Sequence, residues 1–433
     1  MQVMKWSVIA LAVAAGTTQM AVASSQSESK GFVEDSSFNI FNRALYHNRD
    51  YKNGADTTTD KASSERNGYS EEFGLGIRLM YESGFTQGTV GVGVDAHSLS
   101  SIKLDTGKGR AGIGQFSKNG AGEAEDTQSE VGGAIKFRIS DTVLKYGNQI
   151  VASPVFSTDD ARILPEVATG TLVTSNEIEG LELTAGRFTA ISRQTATGRD
   201  GRELTEANIV GASYSFTENF SGAIHASDVE DHLKKKYINL NYNLPLAEEQ
   251  ALNFDFNAYK TDDDGRKLSG EIDNKIWSLA AAYSLGAHTF TVAHQRSSGD
   301  TSYNYGIDGG GTIYLANSIQ YSDFDRKDER SWQARYDIDM ETYGVPGLKF
   351  NLYNARGWGI DGTHYRGTAY DVNGLDGETH YEWGIGTSYA LQSGPLKDTS
   401  IRATYTTHRA SKAQGDGSLD EFRVVTTIPF NIL

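Results

Sequence analysis

Apolar and polar residues alternate along much of this 433-residue chain. Between residues 131 and 139, Ile135 and Phe137 share one parity, whereas Lys136 and Arg138 share the other. Similar alternation marks three further segments, residues 238–244, 252–259 and 332–339. Because successive side chains of a β-strand point to opposite faces, the pattern predicts strands with one apolar and one polar face.

Most of these segments are about as long as the ten residues that a tilted strand needs to cross a bilayer, and strands of soluble sandwiches are usually shorter. With the even strand number of bacterial barrels as a constraint, the pattern predicts an all-β fold: a single transmembrane antiparallel β-barrel of about 18 strands. The predicted strands cover residues 36–48, 69–83, 85–98, 127–140, 142–152, 167–178, 181–191, 204–216, 219–229, 233–244, 251–261, 274–285, 287–297, 329–340, 347–357, 378–390, 398–408 and 419–431.

The predicted connections alternate in length, as periplasmic turns and external loops do in such barrels. Short turns are predicted at residues 84, 140–141, 179–180, 218–219 and 286–287, and long polar loops at 51–68, 102–126, 298–328 and 359–379. The segment 154–169 differs because it is rich in apolar residues, among them Pro154, Phe156 and Ile163. We therefore expect it to fold into the barrel and narrow the lumen.

The first 23 residues have the pattern of a cleavable secretory signal peptide. Lys5 precedes an apolar run at residues 6–15, and a small-residue Ala-Val-Ala triplet at 21–23 supplies a cleavage site. The run is shorter than the roughly 20 residues of a membrane-spanning helix. The prediction is a signal peptide at 1–23 and a barrel domain at 24–433, located in the outer membrane of a Gram-negative bacterium.

Composition excludes several classes of function. The chain has 0 Cys, so disulfides and thiolate metal sites are absent, and its formal net charge of −16 argues against nucleic-acid binding. Neither a nucleophile elbow between a strand and a helix nor a His-Glu-x-x-His motif is present. We predict no enzymatic activity, no metal and no cofactor.

Basic residues recur at the polar, lumen-facing positions of the alternating pattern. Parity assigns to the lumen Arg43, Arg49, Arg78, Lys136, Arg138, Lys145, Arg335, Arg402 and Arg423, with Arg162 added by the inward segment. A basic row along a narrow pore attracts carboxylates, because the low-dielectric wall focuses the field. Acidic residues that could neutralise part of the row are Glu82, Asp95, Asp160, Asp337 and Asp339.

Several motifs carry a family resemblance. Residues 81–86 read Tyr-Glu-Ser-Gly-Phe-Thr, residues 162–165 read Arg-Ile-Leu-Pro, residues 331–337 read Ser-Trp-Gln-Ala-Arg-Tyr-Asp, and residues 421–425 read Glu-Phe-Arg-Val-Val. On these motifs, the mature chain resembles the outer membrane porin D (OprD) family of substrate-specific porins over essentially its whole length.

The resemblance implies a monomeric barrel of eighteen strands whose third and seventh external loops narrow the pore. It also implies passive, selective diffusion of small carboxylate-bearing solutes, namely aromatic or other organic acids, amino acids or small peptides, guided by a ladder of basic side chains. The resemblance implies that the ladder residues in this sequence are Arg43, Arg49, Arg78, Lys145, Arg162, Arg335 and Arg402. It implies that the constriction loop contains Pro154, Phe156, Asp159, Asp160 and Arg162. Tyr353 stands where many members have an arginine.

The residues alone leave two substrate subclasses open. Asp159 and Asp160 could form an acidic pocket for basic amino acids, whereas Phe156 and Tyr353 could offer apolar surface to aromatic acids. Small organic acids are slightly favoured. The alternative function is a barrel that binds partners at the cell surface, or adheres to them, through its long external loops. The predicted partners are small carboxylate-bearing solutes and the lipid of the outer membrane.

Overall fold

The structure, a computed structural model, describes residues 26–52, 68–107, 109–201, 204–307, 311–367, 372, 374–411 and 417–433. The predicted signal peptide and most of the predicted loop at 51–68 lie outside the described residues.

Within the described residues, 18 strands form one closed antiparallel sheet, because β1 pairs with both β2 and β18 and every other strand pairs with its neighbours in sequence. The predicted barrel is therefore confirmed. The strands are β1 (Ser37–Tyr51), β2 (Tyr69–Glu82), β3 (Gly91–Asp105), β4 (Thr127–Ile139), β5 (Thr142–Gln149), β6 (Val167–Ile178), β7 (Leu181–Ser192), β8 (Ala207–Thr217), β9 (Phe220–Val229), β10 (Leu233–Ala247), β11 (Gln250–Asp263), β12 (Asp273–Leu285), β13 (His288–Gly299), β14 (Arg330–Asp339), β15 (Leu348–Asp361), β16 (Asp376–Ala390), β17 (Ser400–Ala410) and β18 (Leu419–Asn431).

Long and short connections alternate around the barrel. Two-residue turns join β4 to β5, β6 to β7, β8 to β9, β10 to β11 and β12 to β13, all at the same end, which is the periplasmic end in such barrels. Three of the connections at the opposite, external end matter for the pore. They are loop 2 (residues 106–126), loop 3 (150–166) and loop 7 (300–329).

The predicted start of the third strand at residue 85 is wrong, because β3 begins only at Gly91. Residues 83–90 form a wider turn, closed by hydrogen bonds from the Thr86 amide to the Val92 carbonyl (3.0 Å) and from the Val92 amide to the Thr86 hydroxyl (2.9 Å). Phe85 lies within this turn under the Arg138 guanidinium, 4.3 Å from its ring centroid. Phe85 therefore belongs to the turn and contacts a lumen cation, although its apolar side chain fits the pattern of a strand.

Burial follows the alternation that the sequence predicts. In β4, Val131 is 78% exposed on the outer face, whereas Lys136 and Arg138 are buried on the lumen face. A belt of exposed apolar residues on the outside and a polar wall on the inside are expected of strands that separate lipid from water.

No helix in the described part of the chain is both long and apolar enough to cross a membrane.

The largest hydrophobic cluster lies inside the barrel and includes residues from the loops. Phe156 and Val155 of loop 3 pack with wall residues such as Phe188 and with Tyr303 and Leu315 of loop 7. A second cluster joins Ile163 of loop 3 to Phe116 of loop 2 and to the wall. The external loops therefore fill part of the lumen.

Candidate pore constriction

Loop 3 is held against the wall by close packing. Phe156 is 1% exposed and stacks on Phe188 of β7 with ring centroids 5.0 Å apart. Pro154 is buried in the same segment. Gly76 of β2 leaves room for the loop, because a Cβ atom there would lie 2.2 Å from the Ile163 carbonyl oxygen. A glycine in a strand interior often marks such a close backbone approach.

Two predicted ladder arginines fasten loop 3 to the wall. Arg78 donates from Nη1 and Nη2 to the two carboxylate oxygens of Asp160, at 3.0 and 2.6 Å, and from Nη2 to the Ile163 carbonyl at 3.0 Å. Arg43 Nη1 donates to Asp160 Oδ1 at 2.9 Å and to the Arg162 carbonyl at 2.7 Å. Paired guanidinium and carboxylate groups of this geometry are strong and directional. We call Arg43, Arg78 and Asp160 the loop clamp.

A second set of cations surrounds Glu421 of β18. Its carboxylate accepts hydrogen bonds from Arg49 Nε at 2.8 Å and from Arg423 Nη2 at 3.0 Å, and it lies 2.8 Å from His47 Nε2. Gln320 of loop 7 donates to the other oxygen at 3.2 Å. We call this group the Glu421 hub.

Asp95 of β3 binds two lysines. Lys136 Nζ lies 2.7 Å from Asp95 Oδ1, and Lys145 Nζ contacts Asp95 Oδ2. Like Asp160 and Glu421, this carboxylate is shared by two cations. Each of the three clusters therefore keeps one formal positive charge.

The remaining predicted ladder residues behave differently from one another. Arg335 pairs one to one with Asp337, through Nε at 2.8 Å and Nη2 at 2.6 Å. Arg402 is exposed to the lumen and has no hydrogen bond or ion pair with any described residue, and it lies diagonally across β17 and β18 from Arg423. Within the described part of the chain, the Arg162 side chain donates only to carbonyl oxygens, those of Ile113 (3.1 Å) and Ala161 (3.2 Å).

The charged groups of loop 3 are shifted by their surroundings. Burial raises the pKa of the Asp159 carboxyl to about 6, although Arg162 opposes the shift. Burial also lowers the pKa of the Arg162 guanidinium to about 10, and the positive charges of Arg423 and Arg49 add to this effect. Burial alone would raise the pKa of Asp160, but Arg78 and Arg43 outweigh it and hold that pKa below its usual value.

The two rings considered as apolar surface for an aromatic solute are not open to the lumen. Phe156 belongs to the buried cluster, and Tyr353 is 5% exposed and donates its hydroxyl to Glu382 at 2.6 Å. Asp160 is likewise unavailable to a solute, because it is bound by Arg43 and Arg78 in the loop clamp. Of the acidic pair, Asp159 alone has no ion pair with a described residue.

Sequence reasoning missed two wall carboxylates that hold the loops. Glu72 of β2 accepts backbone amides of loop 2, from Gly112 at 2.9 Å and Gln115 at 2.8 Å. Glu382 of β16 accepts the Ser322 amide of loop 7 at 2.9 Å. Their parity places both in the lumen, but nothing in the sequence distinguishes an acid that binds a loop from one that faces water.

Among the described residues, no group of three or more His, Asp or Glu side chains could hold a metal ion.

Comparison with known proteins identifies the family to which this barrel belongs. The family model described as outer membrane porin, OprD family, matches residues 30–432. The chain belongs to the OprD family of outer membrane porins. Porin D of Pseudomonas aeruginosa is 44% identical over 460 residues that cover 100% of both chains. The chain is therefore a channel of the bacterial outer membrane rather than an enzyme, as predicted.

Solved structures agree with the fold. OccAB1 of Acinetobacter baumannii is 34% identical and superimposes with a TM-score of 0.86 over 95% of this chain and 100% of that chain. OpdK of Pseudomonas aeruginosa, solved with vanillate, is 28% identical with a TM-score of 0.80 over 93% of this chain and 100% of that one.

Proposed function

We propose that this porin conducts small carboxylate-bearing solutes, such as aromatic and other organic acids or amino acids, along a ladder of lumen cations. The observation that carries the proposal is the excess of cations over carboxylates within three ion-paired clusters of the lumen. The loop clamp, the Glu421 hub and the Asp95 cluster each have two cations for one carboxylate, and Arg162 and Arg402 have no carboxylate partner among the described residues.

An anion can use these groups without breaking the fold. Arg402 has guanidinium donors that no described residue uses, so a solute carboxylate can form a forked pair with it. The positive charge of Arg423 helps to lower the pKa of the Arg162 guanidinium, so the two cations would act on a passing carboxylate together. In this proposal a carboxylate passes from Arg402 to the Glu421 hub and Arg162 while the loop clamp keeps the constriction in shape.

Small organic acids fit this geometry better than basic amino acids. A basic side chain needs an acidic partner, and within the described residues the one acid of loop 3 without an ion pair or other partner for its carboxylate outside the loop is Asp159, whose negative charge is opposed by Arg162. The relative OpdK was solved with vanillate, an aromatic carboxylate, which is consistent with this preference. We further propose that the porin works as a monomer.

The surface-binding alternative depends on loops that extend into solvent. Loops 3 and 7 instead pack together inside the barrel, where Phe156, Tyr303 and Leu315 share one buried cluster. Their arrangement favours a role in the pore.

Planar-bilayer recordings test the proposal. Benzoate should block the chloride current of the wild-type channel, benzyl alcohol should not, and arginine should block less than benzoate. Arg162→Gln should weaken the benzoate block, since it removes a cation that has no ion pair with a described carboxylate. Equal block by benzoate and benzyl alcohol would contradict a carboxylate ladder, and stronger block by arginine would move the assignment to basic amino acids.

A further inference from the structure

A row of cations faces outward from the external part of the barrel between β10 and β15. All its members are exposed or half-buried on the lipid side, and we call it the outer cation row: Lys236, Lys260, Lys275, Arg296, Arg330 and Arg356. Apart from that of Lys260, none of their side chains has an ion pair or hydrogen bond with a described residue.

The sheet register sets like charges against one another. Lys260 is directly opposite both Lys236 and Lys275, and Arg296 is directly opposite Arg330. Within the described residues, only Lys260 of this row is neutralised by carboxylates, those of Asp262 at 2.5 Å and Asp273 at 2.8 Å. Like charges directly opposite one another destabilise a sheet unless an anion lies between them.

The row lies at the edge of the lipid-facing surface. Trp277 is opposite Arg296, Trp332 is opposite Arg356, and Trp358 is opposite Arg330. Tryptophan marks the boundary between lipid tails and headgroups in membrane barrels. Toward the periplasmic end, Leu279 and Val292 expose apolar side chains on the same face. The cations therefore lie at the depth of the lipid headgroups.

Rim cations on other strands are arranged differently. Arg187 of β7 pairs with Glu206 at 2.5 Å, and Arg409 of β17 pairs with Asp420 at 2.8 Å. In these pairs the chain supplies its own anion. The unneutralised charge of the outer cation row is thus a local feature of β10 to β15.

We propose that the outer cation row is a docking surface for the phosphate groups of an anionic lipid in the outer leaflet. Phosphate oxygens match the forked donors of arginine, and one phosphate can bridge two cations that otherwise repel each other. The apolar residues and tryptophans next to the row would contact the acyl chains of the same lipid. Free phosphate would gain nothing from that apolar surface, so the geometry points to a lipid.

Native mass spectrometry of the purified porin in detergent tests this proposal with lipid A as the probe. Phosphorylated lipid A should bind, and dephosphorylated lipid A should bind much more weakly. In Arg296→Gln/Arg330→Gln, binding should weaken by about fivefold for each cation removed. The matched control Arg187→Gln/Arg409→Gln removes two rim cations that are already neutralised and should bind lipid A like the wild type.

Several outcomes would overturn the proposal. They are equal binding of the phosphorylated and dephosphorylated lipids, equal loss in both double variants, or displacement of lipid A by inorganic phosphate. Single-channel conductance serves as the folding check, because neither double variant alters the lumen. If a double variant fails to fold, Arg330→Gln alone should still weaken binding, since this exposed side chain has no partner in the described part of the chain.

Discussion

Arg78 and Arg402 both project into the same lumen, yet they stand in opposite situations. Arg78 is 6% exposed and donates hydrogen bonds to Asp160 and to the Ile163 carbonyl. Arg402 is exposed and has no partner among the described residues. The difference comes from loop 3, which brings a carboxylate to one arginine and not to the other. A lumen cation is therefore available to a solute only where the loops leave it unoccupied.

Asp160→Asn should have the largest effect, because it leaves Arg43 and Arg78 buried without their shared charge. Removing one partner of a buried ion pair costs about 3–5 kcal/mol of unfolding free energy. We expect loop 3 to leave the wall, so that single-channel conductance rises and becomes noisy. Urea unfolding in detergent and bilayer recordings measure the two effects.

The matched control for this change is Asp337→Asn, which removes a lumen carboxylate whose one ion pair with a described residue is that with Arg335. It should change stability and conductance little. Equal effects of the two substitutions would mean that the loop clamp does not hold the constriction.

Gly76→Ala should have the next largest effect, since the new methyl group would overlap the Ile163 carbonyl of loop 3. Overpacking of this kind costs about 1–3 kcal/mol. Conductance should shift in the same direction as in Asp160→Asn but by less, while block by benzoate persists because Arg402 is untouched. The control is Gly198→Ala, where no atom lies within 4 Å of the added Cβ. An equal conductance change in this variant would mean that the overlap with loop 3 is not the cause.

The smallest effect should come from pH. With its pKa raised to about 6, Asp159 is neutral below that pH and ionised above it, so the constriction gains a negative charge as pH rises. Chloride selectivity, measured as the reversal potential in a salt gradient, should be higher at about pH 5 than at about pH 7.5. Asp159→Asn should remove part of this difference, and an unchanged pH profile in that variant would rule out Asp159 as its source.

The fold could be predicted because lipid on one side and water on the other impose a period of two on every strand. The failure at β3 has a physical cause. Phe85 is apolar because it packs under Arg138 inside the barrel, and an apolar residue next to a strand cannot be distinguished by pattern from a residue within it.

The site was less accessible to sequence reasoning than the fold. Parity finds the lumen face of Arg43, Arg49 and Arg78, but their partners come from distant parts of the chain. Asp160 reaches Arg43 from 117 residues away, and Glu421 reaches Arg49 from 372 residues away across the closure of the barrel. The assignment of substrate-guiding roles to individual residues stays a prediction.

The most direct test of the central claim is the benzoate block of Arg402→Gln compared with that of Arg335→Gln/Asp337→Asn. The double variant removes a lumen arginine together with its carboxylate, so the net charge of the pore is kept. We predict that Arg402→Gln weakens the block about tenfold, as expected for the loss of a charged hydrogen bond, and that the double variant changes it by less than about twofold. An unchanged block in Arg402→Gln, or an equal loss in the double variant, would contradict the claim that unpaired cations select the solute.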